Sequence, residues 1–247
     1  MKHWPYTAYA FDLYGTLADI RTDEEDPALW RAMSFYLGLR GMPWEPEALR
    51  EQYGLLCAQS LAEKEAALQA RGIPGPGEAD IRDVWRRIGL LRGIRLEEEQ
   101  VERIACAFRA MSLKKLRLFD GAREVLAALR RGRRRVFLLT NAQAAFTGPE
   151  LRYLGIDGAF DGIFMSSDYG VKKPSPAFFD LLFRAGAEPA RTVMIGNDDQ
   201  CDCWGAARAG LHSLYLSTEQ SPPLLRSLPS NCRKIDALMQ VLPACDR

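Results

Sequence analysis

The sequence predicts an α/β fold: a doubly wound parallel sheet of Rossmann-like type with an inserted α-helical domain. From Leu116 onward, short apolar segments alternate with amphipathic helical segments, as in a parallel sheet with helices on both faces. Between about Ala28 and Lys115, apolar residues recur only at three- and four-residue spacing, which indicates helices alone. The chain has 247 residues, 47% of them hydrophobic, and is therefore long enough for a core of this size.

The first predicted strand is the apolar run that begins at Tyr9 and ends at Asp12. Gly15 and Thr16 follow it directly. A glycine can adopt a positive φ or let another group approach the backbone, and a threonine hydroxyl can hold a nearby carboxylate. A carboxylate placed at the end of a buried strand, next to such a turn, indicates a functional loop.

An acidic stretch, residues 19–27, is expected to be a polar connector and hinge between this strand and the helical insertion. The second helix of the insertion is predicted over residues 45–71, because the glycines and prolines of 72–77 end it. Two more helices are indicated by apolar residues at helical spacing, Ile81, Val84, Trp85 and Ile88 and then Val101, Ile104, Ala105, Phe108 and Met111. We therefore expect residues 1–18 and 116–247 to form the core and 19–115 the helical domain.

The second half of the chain supplies the other predicted elements of the sheet. Strands are expected at 135–140, after the lead-in of 156–164 with an end at Ser166 and Ser167, at 192–196 and at 211–216. Helices are expected around 125–129 and at 149–154, 176–185 and 204–209. The proline-containing tail from Ser217 is expected to form a closing loop and then a helix within 232–242.

Charge and composition exclude several classes of partner. Lys plus Arg (33) nearly balances Asp plus Glu (32), so the net charge of +1 gives no reason to expect nucleic acid or a membrane surface. We expect a soluble, cytoplasmic protein, because no apolar stretch approaches the length of a membrane span. Its cysteines lack the paired spacing of a zinc site and are expected to be reduced; they are Cys57, Cys106, Cys201, Cys203, Cys232 and Cys245. The oligomeric state is not predicted.

Polar residues follow the C-terminal ends of several predicted strands. They are Asp12, Thr140, Asn141, Lys173, Asn197, Asp198 and Asp202. Ligands of open parallel sheets bind beyond these strand ends, so we expect one shared site. A carboxylate that attacks a phosphoryl group needs donors, a cation and usually a divalent metal. Thr140 and Asn141 can donate, Lys173 can neutralise charge, and the acidic cluster can help to hold Mg²⁺.

Four segments resemble the four motifs of the haloacid dehalogenase superfamily: residues 12–16, 138–141, 172–174 and 196–202. The helical insertion is similar to the C1-type cap of that family, which covers the site and selects the substrate. The resemblance implies that Asp12 is a covalent nucleophile, Lys173 a catalytic residue, and Thr16, Thr140 and Asn141 substrate-binding residues. It also implies Mg²⁺ held by Asp12, the main-chain carbonyl of Tyr14, Asn197, and Asp198 or Asp202, and a small phosphorylated metabolite as the substrate.

Two departures from the family pattern leave the reaction open. Tyr14 stands where phosphatases of the family carry the acid that protonates the leaving group, and 2-haloacid dehalogenases have tyrosine there. Asn197 stands where the primary metal carboxylate is usual, although three aspartates follow within five residues. Besides the phosphatase, the alternatives are a metal-independent 2-haloacid dehalogenase, with Arg31, Arg40 or Arg50 as the clamp for the substrate carboxylate, and a catalytically weakened binding protein.

Overall fold

A six-stranded parallel sheet organises the protein, whose computed structural model describes residues 6–243. Its strand order is β5-β4-β1-β6-β7-β8, and each neighbouring pair is parallel, as predicted. In chain order the strands of the structure are β1 Ala8–Phe11, β2 Ala18–Thr22, β3 Leu113–Leu118, β4 Arg135–Thr140, β5 Gly162–Met165, β6 Thr192–Gly196, β7 His212–Leu216 and β8 Cys232–Ile235. The order places β1 inside the sheet, where the side chains of all four of its residues are buried.

Helices cover both faces of this sheet and also make up the insertion. In chain order they are α1 Pro27–Gly38, α2 Pro46–Ala70, α3 Ile81–Leu90, α4 Glu98–Ser112, α5 Ala122–Arg131, α6 Ala144–Leu154, α7 Ser166–Tyr169, α8 Pro176–Arg184 and α9 Gly205–Arg208. The first four pack around an apolar core that they share with Ala145 and Phe146 at the start of α6. The remaining helices belong to the α/β part of the chain.

The two faces of the sheet have different cores because side chains alternate along β1. Tyr9 and Phe11 point into the apolar cluster that includes α5 and α6. Ala8 and Ala10 point to the opposite face, where the residues of α8 and α9 pack. The large side chains on one face and the small ones on the other fix which helix can approach which side of β1.

The helical insertion is centred on four aromatic residues. Trp30, Tyr53, Trp85 and Phe108 come from α1, α2, α3 and α4, and their neighbouring ring centroids lie 5.0 to 5.5 Å apart. Tilted rings at this separation add to the stabilisation that burial of their apolar area gives. One aromatic side chain from each helix therefore holds the four helices together.

The polar connector predicted at residues 19–27 is wrong in its first part. β2 begins at Ala18 and pairs antiparallel with β3, so a two-stranded ribbon carries the chain into the insertion and back. The prediction of helix up to Lys115 is wrong for the same reason, since α4 ends at Ser112 and β3 follows at once. The strands were missed because they are short and carry several charged residues, and only their pairing across the insertion makes them extended.

The tail also differs from its prediction. Residues 232–235 form β8, the edge strand of the sheet, and a single turn of 3₁₀ helix at Leu238–Val241 replaces the predicted helix. Cys245 lies outside the described residues.

α6 begins at Ala144, five residues before the predicted start at Pro149, so this proline lies inside the helix. Among residues 6–243, no helix is both long and apolar enough to cross a bilayer.

Candidate active site

A cleft of about 220 Å³ opens at the C-terminal ends of β1, β4 and β6. The direction in which the chain adds strands reverses between β1 and β6, and ligands of open α/β sheets bind at such a point. All but one of the site residues predicted from sequence line this cleft: Asp12, Tyr14, Thr140, Asn141, Lys173, Asn197, Asp198 and Asp202. The remaining one, Thr16, is buried against Asp12.

Asp12 is positioned by the sheet itself. Its main-chain nitrogen donates to the Ile195 oxygen at 2.9 Å, which continues the pairing of β1 with β6 by one residue. Its side chain is 11% exposed, so one edge of the carboxylate reaches the cleft. Oδ1 accepts from Lys173 Nζ at 2.8 Å, and Oδ2 accepts from Thr16 Oγ1 at 3.3 Å.

Lys173 lies buried between two carboxylates. Its Nζ donates to Asp12 Oδ1 at 2.8 Å and to Asp202 Oδ1 at 2.7 Å, and its side chain is only 1% exposed. Burial disfavours the ammonium, but the two carboxylates outweigh this effect and raise the pKa of Lys173 above its usual value. The site therefore contains a fixed positive charge in contact with the candidate nucleophile.

The side-chain amide of Asn141 holds the backbone that carries this lysine. Its Oδ1 accepts from the Lys173 main-chain nitrogen at 2.9 Å, and its Nδ2 donates to the Lys173 oxygen at 3.1 Å. Asn141 follows β4 directly, so this pair of hydrogen bonds fixes the lysine loop to the edge of the sheet. The structure thus places the Asn141 side chain on Lys173, while Thr140 lines the cleft beside it.

The acidic loop after β6 makes most of its hydrogen bonds within itself. Asp202 Oδ2 accepts from the Asp198 main-chain nitrogen at 3.0 Å, and Asp198 Oδ1 accepts from the nitrogens of Gln200 and Cys201 at 2.9 Å each. Burial raises the pKa of Asp202 to about 7, against the opposing effect of Lys173. Only glycine fits at 196, since a Cβ there would lie 2.0 Å from Asp202 Oδ2.

Two side-chain oxygens beside Thr16 are suited to bind a cation. Asp12 Oδ2 and Asn197 Oδ1 both lie 3.3 Å from the hydroxyl of Thr16, which can donate to either of them. Asn197 reaches this position because Gly15, at φ +81°, has no Cβ; one would lie 2.3 Å from Asn197 Nδ2. Within residues 6–243 no three His, Cys, Asp or Glu side chains are grouped as metal ligands. One carboxylate and neutral oxygens still fit Mg²⁺, which keeps several waters and binds substrate phosphates.

Tyr14 directs its hydroxyl away from Asp12. The phenol donates to Glu150 Oε2 on α6 and accepts from Thr147 Oγ1 at 2.9 Å. Burial, and then the Glu150 carboxylate, raise the pKa of Tyr14 above its usual value. Glu150 also accepts from Arg109 Nε of α4 at 2.7 Å, with both side chains largely buried. The sequence did not predict that Thr147, Glu150 or Arg109 would contact Tyr14 or its partner, because nothing distinguishes them from other helix residues.

Gln220 is a further cleft residue that sequence reasoning missed. Its Nε2 donates to Asp19 Oδ1 at 2.6 Å and to the Ile20 oxygen at 2.9 Å, so the tail is tied to β2. No signal in the sequence could have identified Gln220, since the tail has no periodicity at this point and the cleft lies far away along the chain.

Comparison with known proteins identifies the family. The family model for haloacid dehalogenase-like hydrolases matches residues 6–210. A glyceraldehyde 3-phosphate phosphatase of Methanothermobacter thermautotrophicus is 31% identical over 105 residues, 42% of this chain and 46% of that protein. A phosphoglycolate phosphatase of Nitrosococcus oceani is 31% identical over 170 residues, 62% of this chain and 74% of that protein. The chain spans about half the length of the first curated relatives that it matches.

Solved structures show the same fold at lower sequence identity. A 2-haloacid dehalogenase from Pseudomonas syringae pv. Tomato has a TM-score of 0.64 at 20% identity, over 96% of both chains. A phosphatase from Thermococcus onnurineus has a TM-score of 0.57 at 20% identity, over 95% of both chains. The motif residues meet in one cleft of this fold, and the family model covers most of the chain. The chain therefore belongs to the haloacid dehalogenase-like hydrolases.

Proposed function

We propose that this hydrolase is a Mg²⁺-assisted phosphatase that acts on a small phosphorylated metabolite. The observation that carries the proposal is the pair of oxygens on Asp12 and Asn197, which flank Thr16 beside the Lys173 ammonium. A cleft that combines an aspartate, a fixed cation and oxygen ligands for a metal suits a phosphoryl group, whose own charge would otherwise repel the nucleophile. The phosphatase names of several relatives support the same choice.

In the proposed reaction an Asp12 oxygen attacks phosphorus, and the bond between phosphorus and the leaving-group oxygen breaks. Water then attacks the phosphorus of the aspartyl phosphate, the bond from phosphorus to the Asp12 oxygen breaks, and inorganic phosphate leaves. Lys173 offsets the negative charge of nucleophile and phosphoryl group throughout, since two carboxylates hold its proton. Thr140 donates to a phosphoryl oxygen, and Asn141 keeps Lys173 in place.

We propose that Asp12, the main-chain carbonyl of Tyr14 and Asn197 would hold the Mg²⁺, with Asp198 and Asp202 behind them. When bound, the ion would withdraw charge from the phosphoryl oxygens. Because both Asp202 oxygens accept hydrogen bonds and Asp198 caps its own turn, these two residues would act through the loop geometry or through water.

We also propose that residues 19–115 act as a C1-type cap over this cleft. The ribbon of β2 and β3 is where the chain crosses between the two parts, and Arg109 of α4 contacts Glu150 of α6 across them. A cap in this place would exclude water and contact the part of the substrate that leaves. This assignment accounts for the apolar core of α1 to α4, which meets the rest of the chain at Ala145 and Phe146 of α6.

Hydrolysis of aryl and acyl phosphates tests the proposed function. We expect turnover of 4-nitrophenyl phosphate and acetyl phosphate in Mg²⁺, because their leaving groups need no proton and Tyr14 offers none. EDTA should remove the activity and added Mg²⁺ should restore it. The measurement is release of inorganic phosphate. Failure to hydrolyse either compound in the presence of Mg²⁺ would refute the phosphatase.

A metal-independent 2-haloacid dehalogenase is the second candidate, and Tyr14 is the observation that favours it. A halide leaves without a proton, so a phenol held by Glu150 would not impair that reaction. Chloride release from 2-chloropropionate in EDTA would identify this activity, whereas the phosphatase predicts none.

Tyr14→Asp is expected to raise the hydrolysis of alkyl phosphates about 10²-fold, the usual effect of one positioned general acid. Aryl phosphates should gain little, because their leaving groups are already good. The ratio of the two rates in variant and wild type is the measurement, and Tyr153→Asp, at an exposed tyrosine, is the matched control. An unchanged ratio would indicate that residue 14 does not reach the leaving group. No turnover of either class by wild type or variant would favour a weakened binding protein.

A further inference from the structure

The segment after β7 lies against both loops that build the cleft. Thr218 Oγ1 donates to the main-chain oxygen of Gly15 at 2.9 Å. Arg226 donates to Gln200 Oε1 at 3.0 Å, and its guanidinium lies 3.8 Å from the centre of the Trp204 ring. Residues 217–226, named here the C-terminal strap, therefore hold the nucleophile loop at one end and the acidic loop at the other.

Gln220 of the strap faces the cleft with one polar atom unused. Its Nε2 donates both of its hydrogens, one to Asp19 Oδ1 and one to the Ile20 oxygen. A carboxylate and a carbonyl can only accept, so the nitrogen of the amide has to face them and the oxygen has to face the other way. The structure gives Gln220 Oε1 no hydrogen-bond partner among residues 6–243.

Asp19 fixes the orientation of this amide. Its carboxylate is almost fully buried, and it pairs with Lys115 and with Arg117 Nε, the latter at 2.9 Å. Because two cations of β3 pair with this carboxylate, turning the amide of Gln220 would break both of its Nε2 bonds and bring Oε1 against an acceptor. Gln220 Oε1 is therefore a preorganised neutral acceptor in the wall of a cleft that also contains charged side chains.

We propose that Gln220 Oε1 is a specificity determinant that accepts a hydrogen bond from a hydroxyl or amine on the leaving group. The inference rests on the proposed phosphatase function and names its substrate class: phosphate esters or anhydrides whose leaving group carries such a donor. A site built to pair with a substrate donor discriminates against an analogue that lacks it, because its acceptor is then left unpaired. Gln220 contacts the part of the substrate that differs between metabolites, whereas Asp12 and Lys173 contact the phosphate.

Gln220→Met tests the proposal with matched substrates, because methionine keeps the length of the side chain and removes the Oε1 acceptor together with the Nε2 bonds to Asp19 and Ile20. The substrates are phenyl phosphate and its 2-, 3- and 4-hydroxy derivatives. We expect wild type to have a KM about 5-fold lower for at least one hydroxyphenyl phosphate than for phenyl phosphate, the effect of one hydrogen bond. The variant should lose this preference: the KM for the preferred hydroxyphenyl phosphate should rise about 5-fold relative to the KM for phenyl phosphate, as for binding energy shared by ground and transition states.

Thr218→Val is the control for the strap, since it removes the bond to Gly15 and leaves the amide of Gln220 in place. It should preserve the preference for the hydroxylated substrate. Equal effects of Gln220→Met on all four substrates would reduce Gln220 to a structural tie and overturn the proposal. No preference in wild type would overturn it as well. If wild type hydrolyses none of the four compounds, the phosphatase proposal itself fails.

Discussion

Asp12→Asn is expected to lower phosphatase activity at least ~10³-fold, to the level of the uncatalysed background, while the protein remains folded. An amide cannot attack phosphorus to form the aspartyl phosphate. Lys173 keeps its second carboxylate, Asp202, at 2.7 Å, so the buried ammonium is not left unpaired. The substitution keeps the shape of the side chain and its contact with Thr16. Activity should therefore fall without a matching loss of stability.

Phosphate release and phosphoenzyme formation measure this prediction together. Wild type, mixed with excess substrate and quenched in acid, should carry up to one phosphoryl group per chain, and the Asp12→Asn protein should carry none. Asp157→Asn, which removes one exposed carboxylate away from the cleft, should behave as wild type. Retention of more than a tenth of the activity by Asp12→Asn would show that another group is the nucleophile.

Most of the parallel sheet could be predicted because its strands are short apolar runs that end in polar residues. The run from Tyr9 to Asp12 and the run at 192–196 are each buried throughout, and burial on both sides leaves a clear sequence signal. β2, β3 and β8 have no such sequence signal. They are short, lie in a two-stranded ribbon or at the sheet edge, and carry charged residues such as Lys114, Arg117 and Arg233. Their extended form depends on a partner far away in the chain.

The residues of the candidate site likewise divide into those that the sequence could predict and those that it could not. Asp12 and Thr140 lie at strand ends, and Lys173 and Asp202 lie in the segments that follow β5 and β6, so topology predicts that they meet. The role of Asn141 as a clamp on Lys173 could not be predicted, because it depends on the direction of one side chain. The roles of Glu150 and Gln220 could not be predicted for a different reason. Each depends on which helix or loop packs near the cleft, and the sequence does not show that packing.

Lys173→Met is expected to destabilise the fold by about 3–5 kcal/mol, the typical result of removing one partner from a buried ion pair. Methionine can fill the volume of the lysine side chain, so the loss is electrostatic and not a cavity effect. Asp12 and Asp202 would then face each other with no cation between them, and Asp202 is almost fully buried. The measurement is the free energy of unfolding from urea titration, and activity should be lost at the same time.

The loss of unfolding free energy in Lys173→Met should depend on pH, and the pKa of Asp202 determines whether it grows or shrinks as the pH rises. Without the ammonium this pKa, about 7 in wild type, should rise further, whereas an aspartate in the unfolded chain titrates near 3.9. The folded variant then binds more protons than the unfolded one above pH 4, so its stability falls as pH rises. The difference from wild type should be largest near pH 8 and smallest near pH 5, where Asp202 is protonated.

Lys172→Met is the matched control for this variant. Its ammonium lies 3.8 Å from Glu78 and is partly exposed, so its loss should change the free energy of unfolding by less than about 1 kcal/mol, with no comparable pH dependence. A similar loss in both variants, or a deficit of Lys173→Met that is constant from pH 5 to pH 8, would contradict the assignment of Lys173 as the charge that compensates two buried carboxylates. The two lysines are neighbours in the chain, and each substitution removes one positive charge. A difference between the variants therefore reports the burial and pairing of Lys173.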